Sequence, residues 1–386
     1  MSTHQTPAPS LDLARDAALM QRAIALAEQG RGWTGPNPLV GAVLVRDGQV
    51  VGEGFHARPG RSQAEGFALD AAGEATQGGT MYVTIEPWLQ GPALTRILDG
   101  GIRRVIVGML DPHPQREGQA VAWLRAAGLE VEVGIESEAA RRLNEVYVKH
   151  TLTRRPFVAL GTTMSLDGKI ATYTGEAVYP TTAEAREAFE GLRAMHDAVV
   201  VTVHQVLEAN PDIKVPGSRH RTPLRIVLDA LARTPTVSHL LARPAGTGLL
   251  RPSTLIVVTR HAPQDRIRAL QAAGAEIVVA PETGGILEPR IDLMRLMTIL
   301  GRRDITSLLF EGHGNLFASC LEAGIVDKLH VAIAPVLIGG HGTLTPVEGS
   351  GVSLVEAGFS LRDLTARPVG NHLLVEAYPS RPGPES

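Results

Sequence analysis

The sequence predicts an α/β protein built from two domains. The chain has 386 residues, more than one ordinary core accommodates. β-rich runs alternate with runs of helical periodicity along both halves. The alternation breaks once, at residues 151–156, where Arg154-Arg155-Pro156 reads as a linker. The expected domains are therefore residues 11–150 and 157–380.

In the first half, residues 11–29 carry Leu19, Ala23, Ile24 and Ala27 at helical spacing, and Gly30 follows as a C-terminal cap. Residues 39–46 and 49–55 are β-rich and joined by Asp47-Gly48, a strong hairpin signal. Ser62 stands where it would cap a helix running to about Ala72. Strand 80–85, helix 92–99, strand 104–110, helix 118–127, strand 129–134 and helix 137–150 follow, giving a sheet with helices on its faces.

The second half predicts strands at 157–163, 197–201, 224–228, 254–258, 276–279, 307–310 and 328–333. Helices are expected at 183–195, 263–273, 289–300 and 315–322, and residues 361–365 and 372–378 close the chain as an antiparallel pair. Residues 233–252 are punctuated by Pro and Gly and read as a mobile surface stretch.

Charged residues make up 20% of the chain and the net charge is −3, so no basic field is available for nucleic acid or an anionic membrane. The single cysteine, Cys320, excludes a disulfide within the chain, and among Leu316, Phe317 and Leu321 it reads as a small buried apolar residue. Residues 1–10 lack the basic and apolar regions of a signal peptide, and no run approaches the roughly 18 apolar residues of a membrane span. The expected setting is cytoplasmic and soluble.

The chemistry centres on residues 52–102. A zinc nucleobase deaminase places His-x-Glu at one helix start and Pro-Cys-x-x-Cys, sometimes with a longer gap, at the next. Here the corresponding residues are Gln63-Ala64-Glu65 and Pro87-Trp88, and the second cysteine position, counted back from Gly101-Ile102, falls near Ala93 in a shortened segment. An amide oxygen is a poor donor for a borderline-soft dication, and tryptophan and alanine offer none, so no zinc is expected. Without a metal to bring bound water from a pKa near 15.7 to about 7, Glu65 has no nucleophile to serve.

Around that gap the chain resembles the bifunctional deaminase/reductase family of riboflavin biosynthesis. The resemblance rests on Gly35-Pro36-Asn37-Pro38-Leu39-Val40-Gly41, Gly52-Glu53-Gly54-Phe55-His56, Ala64-Glu65, Thr84-Ile85-Glu86-Pro87 and Asp111-Pro112-His113-Pro114. It continues through Met164-Ser165-Leu166-Asp167-Gly168-Lys169-Ile170-Ala171, Pro223-Leu224-Arg225-Ile226-Val227-Leu228-Asp229, Ala334-Pro335 and Gly339-Gly340. It implies a cytidine-deaminase-like α/β/α domain followed by a dihydrofolate-reductase-like α/β domain, and a homo-oligomer formed through the C-terminal domain.

By the same resemblance, Asn37, His56 and Glu65 line a deaminase pocket. Two readings stand for them: Asn37 holds a loop and Glu65 favours a helix start, or the pocket still takes a planar ligand, with Trp88 filling or roofing the zinc space. In the second domain the resemblance assigns Thr181, Arg193 and Glu311 to a sugar-phosphate substrate, with Glu311 the candidate catalytic residue. Ser165, Asp167, Gly312 and Gly314 are assigned to NADPH. There are departures as well. Gly161 replaces a lysine, Ala177 a serine, Thr202-Val203-His204-Gln205 a Gly-x-Gly-Thr turn, Ala209 an aspartate and Pro216 an arginine. His204, Lys214, Arg219, His220 and Arg221 either supply compensating charge or form a solvated loop, and His313 either meets a phosphate or sits in a tight turn.

The expected function is NADPH-dependent reduction of a ribosylaminopyrimidine phosphate or related heterocycle, with the deaminase half inactive. Two alternatives stay open: a non-catalytic binder of a nucleotide-like ligand acting as scaffold or regulator, and a different enzyme class using the same pockets.

Overall fold

The computed structural model describes residues 11–60, 63–213, 215, 222–242, 254–284, 288–312 and 314–380. It divides into two compact units, Met1–Thr153 and Arg154–Ser386.

The first unit runs α1 (Leu11–Glu28), β1 (Gly41–Arg46), β2 (Gln49–Phe55), α2 (Ala64–Ala72), β3 (Thr80–Ile85), α3 (Pro92–Asp99), β4 (Arg104–Met109), α4 (Gln119–Ala126), β5 (Glu130–Val133), α5 (Ser137–Leu143) and α6 (Glu145–Thr153). Its five strands lie in the order β2-β1-β3-β4-β5, with β1 antiparallel to both neighbours and β3, β4 and β5 parallel. Strand alternation sorts the core into two layers. Val43, Val45, Tyr82 and Ile106 pack on Met20 and Ala23 of α1, while Leu44, Met81, Val83, Val105 and Val107 pack on Leu69, Leu94, Ile97 and Leu124 from the opposite helices.

Two glycines decide where α2 lies. A Cβ at Gly52 would come 2.1 Å from the Ala68 carbonyl oxygen, and one at Gly54 would come 2.3 Å from that of Ala64. Their bare backbones let α2 rest directly on β2, which fixes its first turn at the sheet edge.

The second unit contains β6 (Phe157–Ser165), α7 (Ala183–Ala194), β7 (Ala198–Thr202), α8 (Val203–Ala209), β8 (Leu224–Leu228), β9 (Thr254–Val258), α9 (Gln264–Ala272), β10 (Glu276–Val279), β11 (Glu282–Thr283), β12 (Arg290–Ile291), α10 (Leu293–Gly301), β13 (Ser307–Glu311), α11 (Asn315–Glu322), β14 (Lys328–Ala334), β15 (Ser360–Val369) and β16 (His372–Ser380). Nine strands form one sheet, β10-β9-β8-β7-β13-β6-β14-β16-β15, parallel from β10 to β14 and antiparallel beyond. The central strands are apolar on both faces, as a sheet covered on both sides requires. Val158, Leu160, Val200, Leu308 and Phe310 meet α10 and α11, while Ala159, Val199, Val201 and Leu309 meet α7, α8 and α9. The carboxyl ends of β6, β7 and β13 meet at the crevice where such sheets bind ligands.

Several sequence expectations are corrected. Residues 151–153, read as linker, are the last turn of α6, where the Thr153 hydroxyl bonds the Lys149 carbonyl at 2.8 Å. Residues 289–292 are not helical, because Arg290 and Ile291 pair with β11 and α10 starts after its cap, Asp292. Residues 203–209, to which the sequence assigned no element, form α8. Residues 233–242 lie partly at the surface, with Val237 85% exposed, but are anchored: Leu240 is fully buried and Thr234 is tied to Asp229 by two 2.7 Å hydrogen bonds. The remainder of that stretch, 243–252, and Ser62 lie outside the described residues. Cys320 is buried, which pushes its thiol up to about 12. Among the described residues no helix is long and apolar enough to cross a membrane.

Candidate functional sites

The first candidate site lies at the start of α2. Glu65 is 2% exposed and its Oε2 has no hydrogen-bond partner. Burial in this dry setting pushes its carboxyl up to about 7. Gln63 is the N-cap residue of α2 without a side-chain capping bond, and its buried Oε1 also has no partner. The Gln63 amide lies against Gly91, where a Cβ would sit 3.1 Å from Oε1, and Gly91 caps α3, which carries Ala93 in its first turn. The Asn37 amide and the His56 imidazole come together at 3.4 Å (Nδ2 to Nε2).

These donors do not fit a zinc ion. Gln63 offers one amide oxygen, Ala93 offers only a methyl group, and Trp88 offers an indole. Among the described residues, no group of three or more His, Cys, Asp or Glu could hold a metal. Trp88 stays 47% exposed. It lines a cavity of about 330 Å³ shared with Glu86, Asp111, His113, Arg116 and Gln119. Glu86 shapes that cavity without facing it as a free acid. Its carboxylate accepts hydrogen bonds from the backbone N–H groups of Asp111, Gly118, Ala120 and Val121 at 2.8–3.2 Å, which anchors the start of α4.

The second candidate site lies at the carboxyl end of β13. Arg193, at the end of α7, holds Glu311 through two parallel hydrogen bonds, Nε to Oε1 at 2.5 Å and Nη2 to Oε2 at 2.8 Å. Both side chains are largely buried, 18% and 11% exposed. Burial disfavours the Arg193 cation, but the Glu311 hydrogen bonds and charge more than offset this and leave its pKa above the ordinary value.

Register places Gly161 opposite Glu311 on one side and His330 on the other, and His330 in turn opposite Glu376. His330 Nδ1 lies 3.3 Å from Glu376, and Lys328 contacts the same carboxylate at 3.3 Å. The His330 imidazole, with Lys328, holds the Glu376 carboxyl down at about 2. A Cβ at Gly161 would lie 3.0 Å from Leu309 and 3.8 Å from Phe189, so apolar groups stand where a longer side chain would rise.

The other residues assigned to ligands divide into two groups. Glu311, Gly312 and Gly314 are contiguous with the start of α11. Ser165 lies four residues beyond Gly161, roughly 13 Å further along β6 at strand rise, and Asp167 lies in the turn that follows the strand. The Ser165 hydroxyl donates to Asp167 at 2.6 Å, and Asp167 accepts from the N–H groups of Ile338 and Gly339 at 3.1 and 2.7 Å. These bonds, the Ser165 one foremost, hold its carboxyl down at about 2 and tie two loops together. Exposed Thr181 receives an imidazole nitrogen of His372 at its backbone N–H, 3.4 Å away.

The replaced turn became a helix start. Thr202 and Gln205 form a reciprocal capping box on α8, and Gln205 Nε2 also donates to the Glu311 carbonyl at 3.1 Å. The Asn210 side chain ends α8 and accepts from Ser238 and from the His239 N–H at 3.0 and 2.9 Å, so it braces the fold. His204 is exposed on α8, while Lys214, Pro216, Arg219, His220, Arg221 and His313 lie outside the described residues.

Gly314 has φ +54° and caps α11, and a Cβ there would lie 2.8 Å from Oε2 of Glu348, so a carboxylate already stands in against its bare backbone. Sequence reasoning missed Gln205, His330, Glu348, His372 and Glu376. For Gln205 the signal was the Thr-x-x-Gln spacing, and for Lys328 and His330 it was charge alternating along an otherwise apolar strand.

Comparison with known proteins agrees with this architecture. Residues 156–375 match the RibD C-terminal domain, and residues 13–109 match the cytidine and deoxycytidylate deaminase zinc-binding region. The riboflavin biosynthesis protein RibD of Actinobacillus pleuropneumoniae is 34% identical over 96% of this chain and 97% of its own. That of Escherichia coli is 35% identical over 84% and 89%. Among solved structures, Acinetobacter baumannii RibD superimposes with a TM-score of 0.82 at 29% identity, covering 96% of this chain and 100% of that one. The Thermotoga maritima diaminohydroxyphosphoribosylaminopyrimidine deaminase/5-amino-6-(5-phosphoribosylamino)uracil reductase does so with 0.80 at 28%, with the same coverage. The cytidine-deaminase-like first unit, the reductase-type second unit and these full-length relatives together make the chain a member of the RibD family of riboflavin-biosynthesis deaminase/reductases.

Proposed function

We propose that this chain is a reductase of the riboflavin pathway whose deaminase half is inactive. Its substrate in this reading is 5-amino-6-(5-phosphoribosylamino)uracil or a close ribosylaminopyrimidine phosphate, the chemistry named for the Thermotoga relative. The observation that carries the reading is the contrast between the two halves. The C-terminal unit keeps Arg193 and Glu311 beside the glycines at the start of α11, while the N-terminal unit has Gln63, Trp88 and Ala93 where a deaminase needs metal donors.

In this scheme residues 157–380 form the reductase domain and residues 11–150 the deaminase-like one. NADPH supplies the hydride, and Gly312, Gly314 and the first amides of α11 would hold its phosphates. Arg193 would exchange Glu311 for the substrate phosphate, an equally bidentate partner. Glu311, released, would accept a hydrogen bond from the bound ligand, with Thr181 nearby in sequence at the head of α7 as a second phosphate contact. Ser165 and Asp167 act by fixing the loop at Ile338 and Gly339. The protein would work in the cytoplasm as a homo-oligomer joined through the C-terminal unit. The largely exposed edge strand β15, with Leu361 and Leu364 48% and 58% exposed, supports that assembly.

Cofactor titration followed by NADPH fluorescence tests the reading. Saturation below millimolar cofactor is the expected result, and no binding at millimolar NADPH would end it.

The cavity beside Trp88 favours a second reading for the N-terminal unit alone. An exposed indole next to His113, Arg116 and Gln119 suits a planar, polar ligand held without chemistry. Quenching of tryptophan fluorescence by the diaminopyrimidine, lost in Trp88→Ala, would support it; unchanged quenching in the variant would remove it.

A further inference from the structure

One row of residues in register crosses the second sheet. Glu311 on β13 pairs with Gly161 on β6, Gly161 with His330 on β14, and His330 with Glu376 on β16. Register partners point to the same face, so the row reads carboxylate, bare backbone, imidazole, carboxylate. Glu311 is the last residue of β13, which sets the row at the carboxyl edge where such sheets take ligands. With strands about 4.8 Å apart, the Glu311 and His330 backbones stand roughly 10 Å from each other, and β6 contributes no side chain between them. Leu309 and Phe189, 3.0 and 3.8 Å from a Cβ position at Gly161, give that interval apolar walls.

His330 is 5% exposed, on a strand whose other buried positions are Ala332 and Ala334. An imidazole there carries a desolvation cost that a leucine would not. Its Nδ1 lies 3.3 Å from Oε1 of Glu376, too poorly aligned for a hydrogen bond, but a carboxylate this close favours a proton on Nδ1 over a lone pair. Lys328 lies 3.3 Å from the other oxygen of Glu376, so that carboxylate already has its cation and the imidazole need not be one. In the neutral ring, a proton on Nδ1 leaves Nε2 as an acceptor. The ring nitrogens point away from each other: with Nδ1 turned to β16, Nε2 is turned up from the sheet and toward the β6 side, where Gly161 stands.

We propose that His330 is a specificity-determining residue of the C-terminal site: its Nε2 accepts a hydrogen bond from a ring N–H of the bound heterocycle, and Glu376 is the positioning residue that fixes its tautomer. The ligand class this selects is a lactam or imide heterocycle, whose ring N–H adjoins a carbonyl group. A fully N-substituted ring would leave the buried acceptor unpaired and bind more weakly. The proposal rests on the reductase reading for the identity of the ligand, an aminouracil, and not for the presence of the acceptor.

The test is calorimetric titration of 5,6-diaminouracil and of its 1,3-dimethyl derivative, which lacks both ring N–H groups, into the full chain and into His330→Leu, His330→Gln and Glu376→Gln, with NADPH titrated separately. His330→Leu leaves Glu376 paired with Lys328, so it strands no charge. The parent is expected to prefer the unmethylated ring by about tenfold, the worth of one hydrogen bond. His330→Leu should erase the preference, and His330→Gln, whose amide can donate to Glu376 and accept from the ligand, should keep part of it. Glu376→Gln should also lower it, because an amide can donate to Nδ1 and move the ring proton to Nε2. Binding in the N-terminal unit is untouched by these substitutions. Equal preference in the parent and His330→Leu, or binding of neither uracil at millimolar concentration, would overturn the proposal. Should His330→Leu fail to fold, an undiminished preference in Glu376→Gln, which keeps the imidazole, overturns it instead. If the preference vanishes in His330→Leu while NADPH binds to none of the proteins, the acceptor stands and the reductase reading fails. If NADPH binds and the preference ignores His330, the reductase reading stands and the proposal fails.

Discussion

Arg193 and Glu311, 118 residues apart in sequence, clamp each other through two parallel hydrogen bonds at the carboxyl edge of the central sheet. Each is a residue that the family resemblance assigns to ligand binding, and in this structure each is the other's partner. Removing one alone would strand a largely buried charge. Arg193→Met is therefore expected to cost about 3–5 kcal/mol, whereas Arg193→Met with Glu311→Leu should recover most of it. Urea denaturation of the single and double variants measures this, and additive losses would contradict the pairing.

Glu65 makes stability depend on pH. Its folded-state pKa is raised by burial to about 7, above its ordinary value of 4.5. The native state therefore holds a proton that the unfolded chain releases first. Stability from this group is complete below about pH 4.5, falls as pH rises, and levels off above about 7, a loss of about 3 kcal/mol. Glu65→Gln should remove this slope and leave the protein more stable than the parent at pH 8. A parent profile flat between pH 5 and 7 would show that the carboxyl is ionised and solvated.

The capping box on α8 gives a third prediction. Thr202 accepts from the Gln205 N–H at 3.4 Å and Gln205 accepts from the Thr202 N–H at 3.0 Å, so each half satisfies an amide at the helix start. Thr202→Ala and Gln205→Ala should each destabilise by about 1 kcal/mol. Gln205→Ala should also lose the bond to the Glu311 carbonyl, so thermal melts should rank it below Thr202→Ala. The reverse order would separate Gln205 from β13.

The hairpin signal Asp47-Gly48 became the β1–β2 turn, and the helical spacing of Leu19, Ala23 and Ile24 became α1. Both are local patterns, so the chain writes them openly. The expectation that Gln63, Trp88 and Ala93 hold no metal rests on residue type alone, because ligand chemistry depends on it. What the sequence hid was pairing across distance. Thr202-Val203-His204-Gln205 stands where the resemblance places a Gly-x-Gly-Thr turn, yet its Thr-x-x-Gln spacing starts a helix. No local pattern links Glu348 to Gly314, or His330 to Glu376. His330 meets Glu376 only when the sheet sets its register, and Glu348 meets Gly314 only when the loop after β14 closes on the start of α11.

In the proposed function, reduction persists in this chain and deamination does not. Product mass spectrometry after incubating the purified, zinc-supplemented protein and NADPH separately with each of two substrates tests it most directly. With 5-amino-6-(5-phosphoribosylamino)uracil the expected product has gained two hydrogens; with the diaminohydroxyphosphoribosylaminopyrimidine no exchange of amine for oxygen is expected. A deaminated product, together with zinc bound one per chain, would contradict the claim.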